Sequence, residues 1–590
     1  MENIEIAGRL DELADLLEIG GANPFRIRAY RNAVRTIRGL TRRLADMVAE
    51  GEDLTELPGI GTDLSSHIQE LLETGSLELL EEVAREVPRE LALLTRIEGV
   101  GPKKAKKLWK ELDVTTPDAL EKAVKEGRVE KLEGFGKKSA EKILRAIGDL
   151  RLQQGRFLRH EAAELVDPVL RRLEGAPGVQ RLEVAGSFRR GRETVGDVDI
   201  LALVEGDPEP VMERFTSAPG VERVTMSGET RGSVVLKSGL PLDLRILPEE
   251  SYGAALHYFT GSKEHNVEIR KLARDRGLKV SEYGVFRVEK GEEGKKKEDE
   301  HPKSGDRVGG ATEEEVFEAV GLPWIPPVLR ENRGEIQAAR EGRLPELVDL
   351  DDIRGDLHMH STWSDGADSI AEMARACADR GYEYMAITDH SQAVTVARGL
   401  TPERLREQWK EVESVRDEVE GIHIFRGCEV DILKDGSLDL PDEILEGLDI
   451  VLVAVHSHFH LDEAAMTKRV AKALAHPMVD VLVHPTGRLI NRREPYALDV
   501  EAVLEAAREH DVAVELNANP HRRDLKDVHL FRARELGLKV SVGTDSHRTG
   551  HLTYMETGLD EARRGWLEPD DIVNCYALEE MRKWLDRKRG

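Results

Sequence analysis

The 590-residue chain sets 86 lysines and arginines against 113 aspartates and glutamates, a net charge of −27, with 40% hydrophobic and 34% charged residues. A length of that order calls for roughly two to four domains, and the balance of apolar and charged residues excludes a disordered chain. The sequence shows no apolar run approaching the ~18 residues of a membrane span, its acidic amphipathic start lacks the layout of a signal peptide, and Cys377, Cys428 and Cys575 have no paired spacing. A cytoplasmic protein without a disulfide framework or cysteine zinc site is therefore expected, with no membrane partner.

Up to about residue 150 the pattern predicts short amphipathic helices broken by glycine turns. Three local repeats, LPGIGTDLSSHI (57–68), IEGVGPKKAKKL (97–108) and LEGFGKKSAEKI (132–143), each place Gly-x-Gly before a helix. Gly59 and Gly61, Gly99 and Gly101, and Gly134 and Gly136 permit tight turns that turn backbone N–H groups outward, with Lys103, Lys104, Lys137 and Lys138 adding charge beside two of them. The repeats resemble helix-hairpin-helix elements, which grip the DNA backbone without reading sequence. Glycine caps on ordinary helix connections would give the same spacing; threefold repetition with basic flanks favours DNA. The overall acidity does not oppose this, because Arg26–Arg43 and Lys103–Lys110 are locally basic.

From Val179 the pattern changes to alternating strands, and AGSFRRGRETVGDVDILAL (185–203) is its densest motif. Asp197 and Asp199 stand two apart at the head of an apolar strand, so their carboxylates leave one face. Asp243 in LPLDLRIL offers a third. Such an oxygen-rich set suits two divalent cations, magnesium or manganese, roughly 3.5–4 Å apart. Gly186 and Ser187 would cradle a phosphate, with Arg190 adding a planar fork of donors. GSFRRG…GDVDIL and YFTGSKEHNVEIRKLARDRGLKVSEYGVF (258–286) resemble the family X DNA polymerases, of the DNA polymerase beta type, over about the first 330 residues. That resemblance implies in-line nucleotidyl transfer for gap-filling DNA repair, with deoxynucleoside triphosphates and gapped or nicked DNA as partners. It gives Asp197 and Asp199 to both metals and Asp243 to the catalytic one. Gly186, Ser187, Arg190 and Gly196 would take the triphosphate, Tyr258, Phe259 and Gly261 the sugar side, and Asn266 and Arg270 the new pair and template. The lysine with which some relatives form a Schiff base as deoxyribose-phosphate lyases is replaced by His67, and Asp63 is no substitute, so that lyase route is not expected.

A charged stretch (288–310) predicts a solvated loop, and the Pro-containing segment that follows predicts a linker. Seven apolar strands then alternate with helices, predicting a β/α barrel. Six end in metal-competent residues: His358, His360 and Asp365, then His390, Glu429, His456, His484, and Asp545 with His547; the remaining strand, VAVELNAN, ends without such a cluster. These mixed ligands suffice for about three ions, zinc or manganese rather than magnesium. Arg488 and Arg522 are candidates to hold a phosphate. From about residue 354 onward the chain resembles the PHP (polymerase and histidinol phosphatase) phosphoesterases, with all nine ligand positions occupied. The fusion implies 3′–5′ exonuclease and apurinic-site endonuclease activity; the alternatives are a phosphatase for small molecules such as pyrophosphate, or a scaffold on a DNA-end-binding protein. The expected architecture is a multidomain α+β and α/β monomer: helical DNA-binding domains at 1–82 and 83–150, a nucleotidyltransferase palm at 151–248, a thumb at 249–330, a linker at 331–352 and a (β/α)7-like barrel at 353–590.

Overall fold

The computed structural model describes residues 3–38, 44–49, 51–57, 59–95, 97, 99–132, 134–136, 139–140, 142–144, 146, 156–288 and 305–589; Lys137 and Lys138 lie outside them. It divides into two compact units, Met1–Arg156 with Asn491–Arg493, and Phe157–Ile490 with Glu494–Gly590.

The first unit is helical. In α1 (Asn3–Gly20) the residues Ile6, Leu10, Leu13 and Leu17 recur at helical spacing and are all buried, and α1 packs against α2 (Pro24–Arg38). Arg31 of α2 ties the pair by ion pairs to Asp11 and Asp15. The three Gly-x-Gly repeats share one backbone solution. Gly59, Gly99 and Gly134 have φ of 76°, 86° and 86°, which a side chain would resist. Gly61 and Gly101 are the N-caps of α3 (Thr62–Thr74) and α4 (Pro102–Leu112). The middle residues Ile60, Val100 and Phe135 are buried while all six glycines are exposed. Each turn is thus pinned by one apolar side chain and leaves its backbone facing solvent.

The second unit begins with α5 (Arg159–Glu174), whose Ala162, Leu165, Val166, Val169 and Leu173 form a buried stripe. A five-stranded sheet follows, built from β1 (Val179–Val184), β2 (Val198–Val204), β3 (Val221–Ser227), β4 (Arg231–Leu236) and β5 (Pro241–Leu247) in the order β1-β2-β5-β4-β3. Only β2 and β5 run parallel, at its centre. Then come α6 (Glu249–Thr260), α7 (Lys263–Asp275) and an antiparallel sheet of β6 (Leu278–Ser281), β7 (Gly284–Arg287) and β8 (Asp306–Gly309). The loop expected over 288–310 therefore contains a strand at its C-terminal end, where main-chain pairing with β7 overrides the local polarity.

The linker expected over 331–352 is instead built into the fold. Glu335 is fully buried and bonded to His265 at 2.7 Å, and Ala338 and Ala339 join the core of Phe317 and Ile325. Its polarity misled because two of its carboxylates, Glu331 and Glu335, find partners inside the protein rather than water.

Seven parallel strands in sequential order complete the unit: β9 (Gly355–Asp356), β10 (Tyr384–Ile387), β11 (His423–Asp431), β12 (Ile450–Ala454), β13 (Val481–Leu482), β14 (Ala513–Asn517) and β15 (Val540–Gly543). A parallel bridge from Met359 to Ser546 brings the first and last strands together, so the barrel is nearly closed. Most strand residues are buried on both faces: Tyr384 and Ala386 pack in one cluster, Met385 and Ile387 in another. That explains continuous apolar runs rather than alternation. Among the described residues no helix is long and apolar enough to cross a membrane.

Candidate active sites

In the palm, the parallel register of β2 and β5 sets Asp199 beside Asp243, and Asp197 stands exposed two residues before Asp199. Ser233 on β4, opposite Asp243, donates a hydrogen bond to its carboxylate. Burial first, then the charges of Asp197 and Asp243, push the Asp199 carboxyl up to about 6, against the opposing pull of Arg245. Gly186 has φ 66° and lies so close that a Cβ there would come within 3.2 Å of Asp199 Oδ2. It opens the short helical turn Gly186–Arg189 that carries Ser187.

The thumb meets this turn. Arg190 donates to the Thr260 carbonyl and, at 3.1 Å, to Glu331 Oε1, and a Cβ on Gly261 would sit 3.2 Å from its guanidinium. Tyr258 is exposed with its ring 5.1 Å from that of Phe259, over which Arg245 stacks at 4.1 Å. Asn266 donates to the Tyr258 carbonyl at 2.8 Å and keeps a buried Oδ1 without a partner; Arg270 is exposed one turn further along α7. Gly196 immediately precedes Asp197.

In the barrel, all nine predicted ligands converge in four overlapping groups whose candidate ligand atoms lie within 4.8 Å of one another: His360, Asp365, His390 and His547; His358, His360 and Asp545; His358, Glu429 and His484; His390, Glu429 and His456. Glu429 is the hub. Its Oε1 lies 2.7 Å from His484 Nε2 and 3.1 Å from His456 Nε2, and its Oε2 lies 2.9 Å from His390 Nδ1 and 3.5 Å from both His358 Nε2 and His360 Nε2. Burial acts to raise its pKa, yet His390, His456 and His484 hold it well below the usual carboxylate range. His358 Nε2, both ring nitrogens of His360, His484 Nδ1 and Glu429 Oε2 are buried without a well-aligned hydrogen bond. Inward-facing donors left unsatisfied at such cost fit bound cations. The mixture of imidazole and carboxylate fits them too.

Family models match a helix-hairpin-helix domain at residues 1–77, a helix-hairpin-helix tandem at 90–149, the DNA polymerase beta palm at 156–216 and thumb at 255–331, and the PHP domain at 356–519. A Bacillus subtilis protein named DNA polymerase/3′-5′ exonuclease PolX is 41% identical over 589 residues, covering 100% of both chains. The chain belongs to the family X DNA polymerases that carry a PHP domain. Other relatives include a probable phosphatase of Thermoanaerobacter sp. strain X514, 29% identical over 40% of this chain and 96% of its own, and the DNA polymerase lambda of Rattus norvegicus, 27% identical over 56% of each.

Several residues of this family X polymerase escaped the sequence pattern. Glu515, on the strand that offered no ligand cluster, is fully buried, accepts from His358 Nδ1 at 2.6 Å and from the His484 amide at 2.7 Å. An acid inside the apolar run VAVEL was its only signal. Asp431 accepts from the His456 amide, and the fully buried Asp389 accepts from Ser361, Ser364 and Gln408. The two arginine candidates part company. Arg522 Nε lies 3.3 Å from Asp545 Oδ2, within the cluster. Arg488 is buried, pairs with Glu193 at 2.8 Å and donates to the Arg523 carbonyl, facing the palm. His67 of α3 meets the Tyr30 hydroxyl at 3.2 Å.

Proposed function

We propose that the palm and thumb fill gaps in DNA by two-metal nucleotidyl transfer, and that the barrel removes nucleotides from DNA 3′ ends. The observation that carries the first half is the register of β2 and β5, which sets Asp243 beside Asp199 next to the Gly186 turn. Two magnesium or manganese ions held there would supply charge neutralisation at the α-phosphate and acidify the primer 3′-hydroxyl. Asp197 and Asp199 would hold these ions, and Asp243, oriented by Ser233, would complete the site on the primer side. Gly186, Ser187 and Gly196 receive the triphosphate. Arg190, bonded to Thr260 and Glu331, joins them on the triphosphate from the thumb side of the turn. Tyr258, Phe259 and Gly261 line the sugar, and Asn266 and Arg270 face the new pair and template. The exposed glycine turns, with Lys103, Lys104 and (outside the described residues) Lys137 and Lys138, hold the DNA backbone.

In the barrel, zinc or manganese, about three ions, would polarise a phosphodiester and activate water. His358, His360, Asp365, His390, Glu429, His456, His484, Asp545 and His547 hold them, and Arg522 holds the scissile phosphate. The name of the Bacillus relative supports 3′–5′ exonuclease action, and the same chemistry would extend to apurinic sites. The names of the phosphatase relatives favour the alternative, hydrolysis of small phosphates such as pyrophosphate. A 5′-labelled primer in a one-nucleotide-gapped duplex distinguishes them. Asp197→Ala/Asp199→Ala should lose extension alone, and His358→Ala/His360→Ala should lose primer shortening alone. Undiminished shortening by the histidine variant would move the barrel to the phosphatase or the scaffold assignment.

A further inference from the structure

The Gly186–Gly191 turn is braced from the barrel, and by bonds to its backbone rather than to its side chains. Three of its carbonyls each receive an arginine. Arg159 Nε donates to the Phe188 carbonyl at 2.9 Å and its Nη1 pairs with barrel residue Asp560. Arg564, at the end of barrel helix α8 (Tyr554–Arg564), donates to the Arg190 carbonyl at 2.8 Å. Arg523, on the loop after β14, donates to the Gly191 carbonyl at 3.0 Å. Gly191 has φ 68°, and a Cβ there would stand 3.4 Å from Asp560 Cβ and 3.6 Å from Arg564 Cδ, so the palm backbone lies directly against α8.

Both barrel arginines are buried, at 1% and 3% side-chain exposure, and each is anchored on its own side. Arg523 pairs with Glu561 at 2.8 Å, and Arg564 with Asp527 at 2.6 Å. Arg564 also reaches Glu331 Oε1 at 2.8 Å, the same oxygen that receives Arg190. A buried guanidinium requires good acceptors, and general domain adhesion could supply them from side chains. Bonds to carbonyls do something more specific. Because each peptide is planar, fixing the Phe188, Arg190 and Gly191 carbonyls fixes the direction of the next N–H as well, and with it the shape of the turn.

We propose that Arg523 and Arg564 of the barrel, with Arg159, are positioning residues for nucleotide binding in the palm, holding the Gly186–Gly191 turn in its triphosphate-receiving shape. This rests on the assignment of that turn to the triphosphate made above.

The test is single-nucleotide gap filling by the full-length chain. Arg523→Lys and Arg564→Lys keep the charge but cannot span both acceptors, and Ser187→Ala serves as the reference within the turn. The lysine variants should raise KM for the incoming nucleotide about tenfold or more, while kcat at saturation falls far less. Hydrogen exchange should quicken at residues 186–193 and stay unchanged along β2. Should a barrel substitution cost the fold, seen as lost melting cooperativity and metal content, Arg159→Gln cuts the Phe188 and Asp560 contacts at a partly exposed site and carries the same expectation. Unchanged KM in the folded variants, beside a raised KM for Ser187→Ala, overturns the inference alone. Unchanged KM for Ser187→Ala overturns the triphosphate assignment and the inference with it.

Discussion

Replacing Asp199 with asparagine should stabilise the metal-free palm, and the gain should depend on pH in a defined direction. The Asp199 carboxyl is raised from its ordinary value of 3.8 to about 6, by burial and then by Asp197 and Asp243. The unfolded chain releases this proton near 3.8 and the native palm only near 6, so between those values the native state holds more protons. Stability therefore falls as pH rises through that window, and the full penalty stands above it. The rise to about 6 corresponds to ~3 kcal/mol at pH 8 and about half that at pH 5, as an upper bound for a partly exposed group. Asparagine keeps the shape and removes the charge. In chelator, the palm transition of Asp199→Asn should rise by roughly 4–10 °C at pH 8 and by about half as much at pH 5. Added magnesium should narrow the difference, since only the wild type gains a ligand from it. An equal gain at both pH values, or a lower transition for the variant, would refute the assignment of the cost to this carboxylate.

Glu515→Gln leaves one oxygen acceptor for two donors, His358 Nδ1 and the His484 amide, so metal affinity in the barrel should fall about 10- to 100-fold when ion content is followed against graded chelator, with primer extension unaffected. Arg522→Ala should raise KM for primer shortening about tenfold, whereas Arg488→Ala, which breaks the pair with Glu193, should lower the melting transition; the reverse pattern in enzyme kinetics and calorimetry would exchange their roles. Lys103→Ala should flatten the slope of log affinity against log salt for gapped DNA by about 0.9, and an unchanged slope would remove Lys103 from the contact. After exhaustive chelation, magnesium alone should restore extension while shortening returns only with manganese or zinc; recovery of both with magnesium would contradict the ligand assignment.

What the sequence disclosed was whatever local spacing decides. Alternation marked β2 and β5, and short His and Asp clusters at the ends of apolar runs marked the barrel's candidate ligands, because both features lie within a few residues. The pairing of Asp199 with Asp243 spans 44 positions and depends on which strands become neighbours. Arg190 announced itself beside a glycine turn, but its partner Glu331 lies 141 residues away, in a segment whose polarity predicted solvent. Glu515 was hidden for the opposite reason. Among apolar neighbours on a doubly buried strand, a carboxylate breaks no alternation, since there is none to break.

The two sites oppose one another electrostatically. In the palm, burial first and then the charges of Asp197 and Asp243 raise the Asp199 carboxyl, with Arg245 opposing them. In the barrel, histidines surround Glu429 and hold it ionised, while burial and neighbouring His547 and His390 keep His360 from protonating. Oxygen-rich and nitrogen-rich ligand sets prefer different ions. Arg523 faces the palm turn and Arg522 faces Asp545 from adjacent positions on one loop, so the backbone that shapes one site is also the backbone that presents a cation to the other.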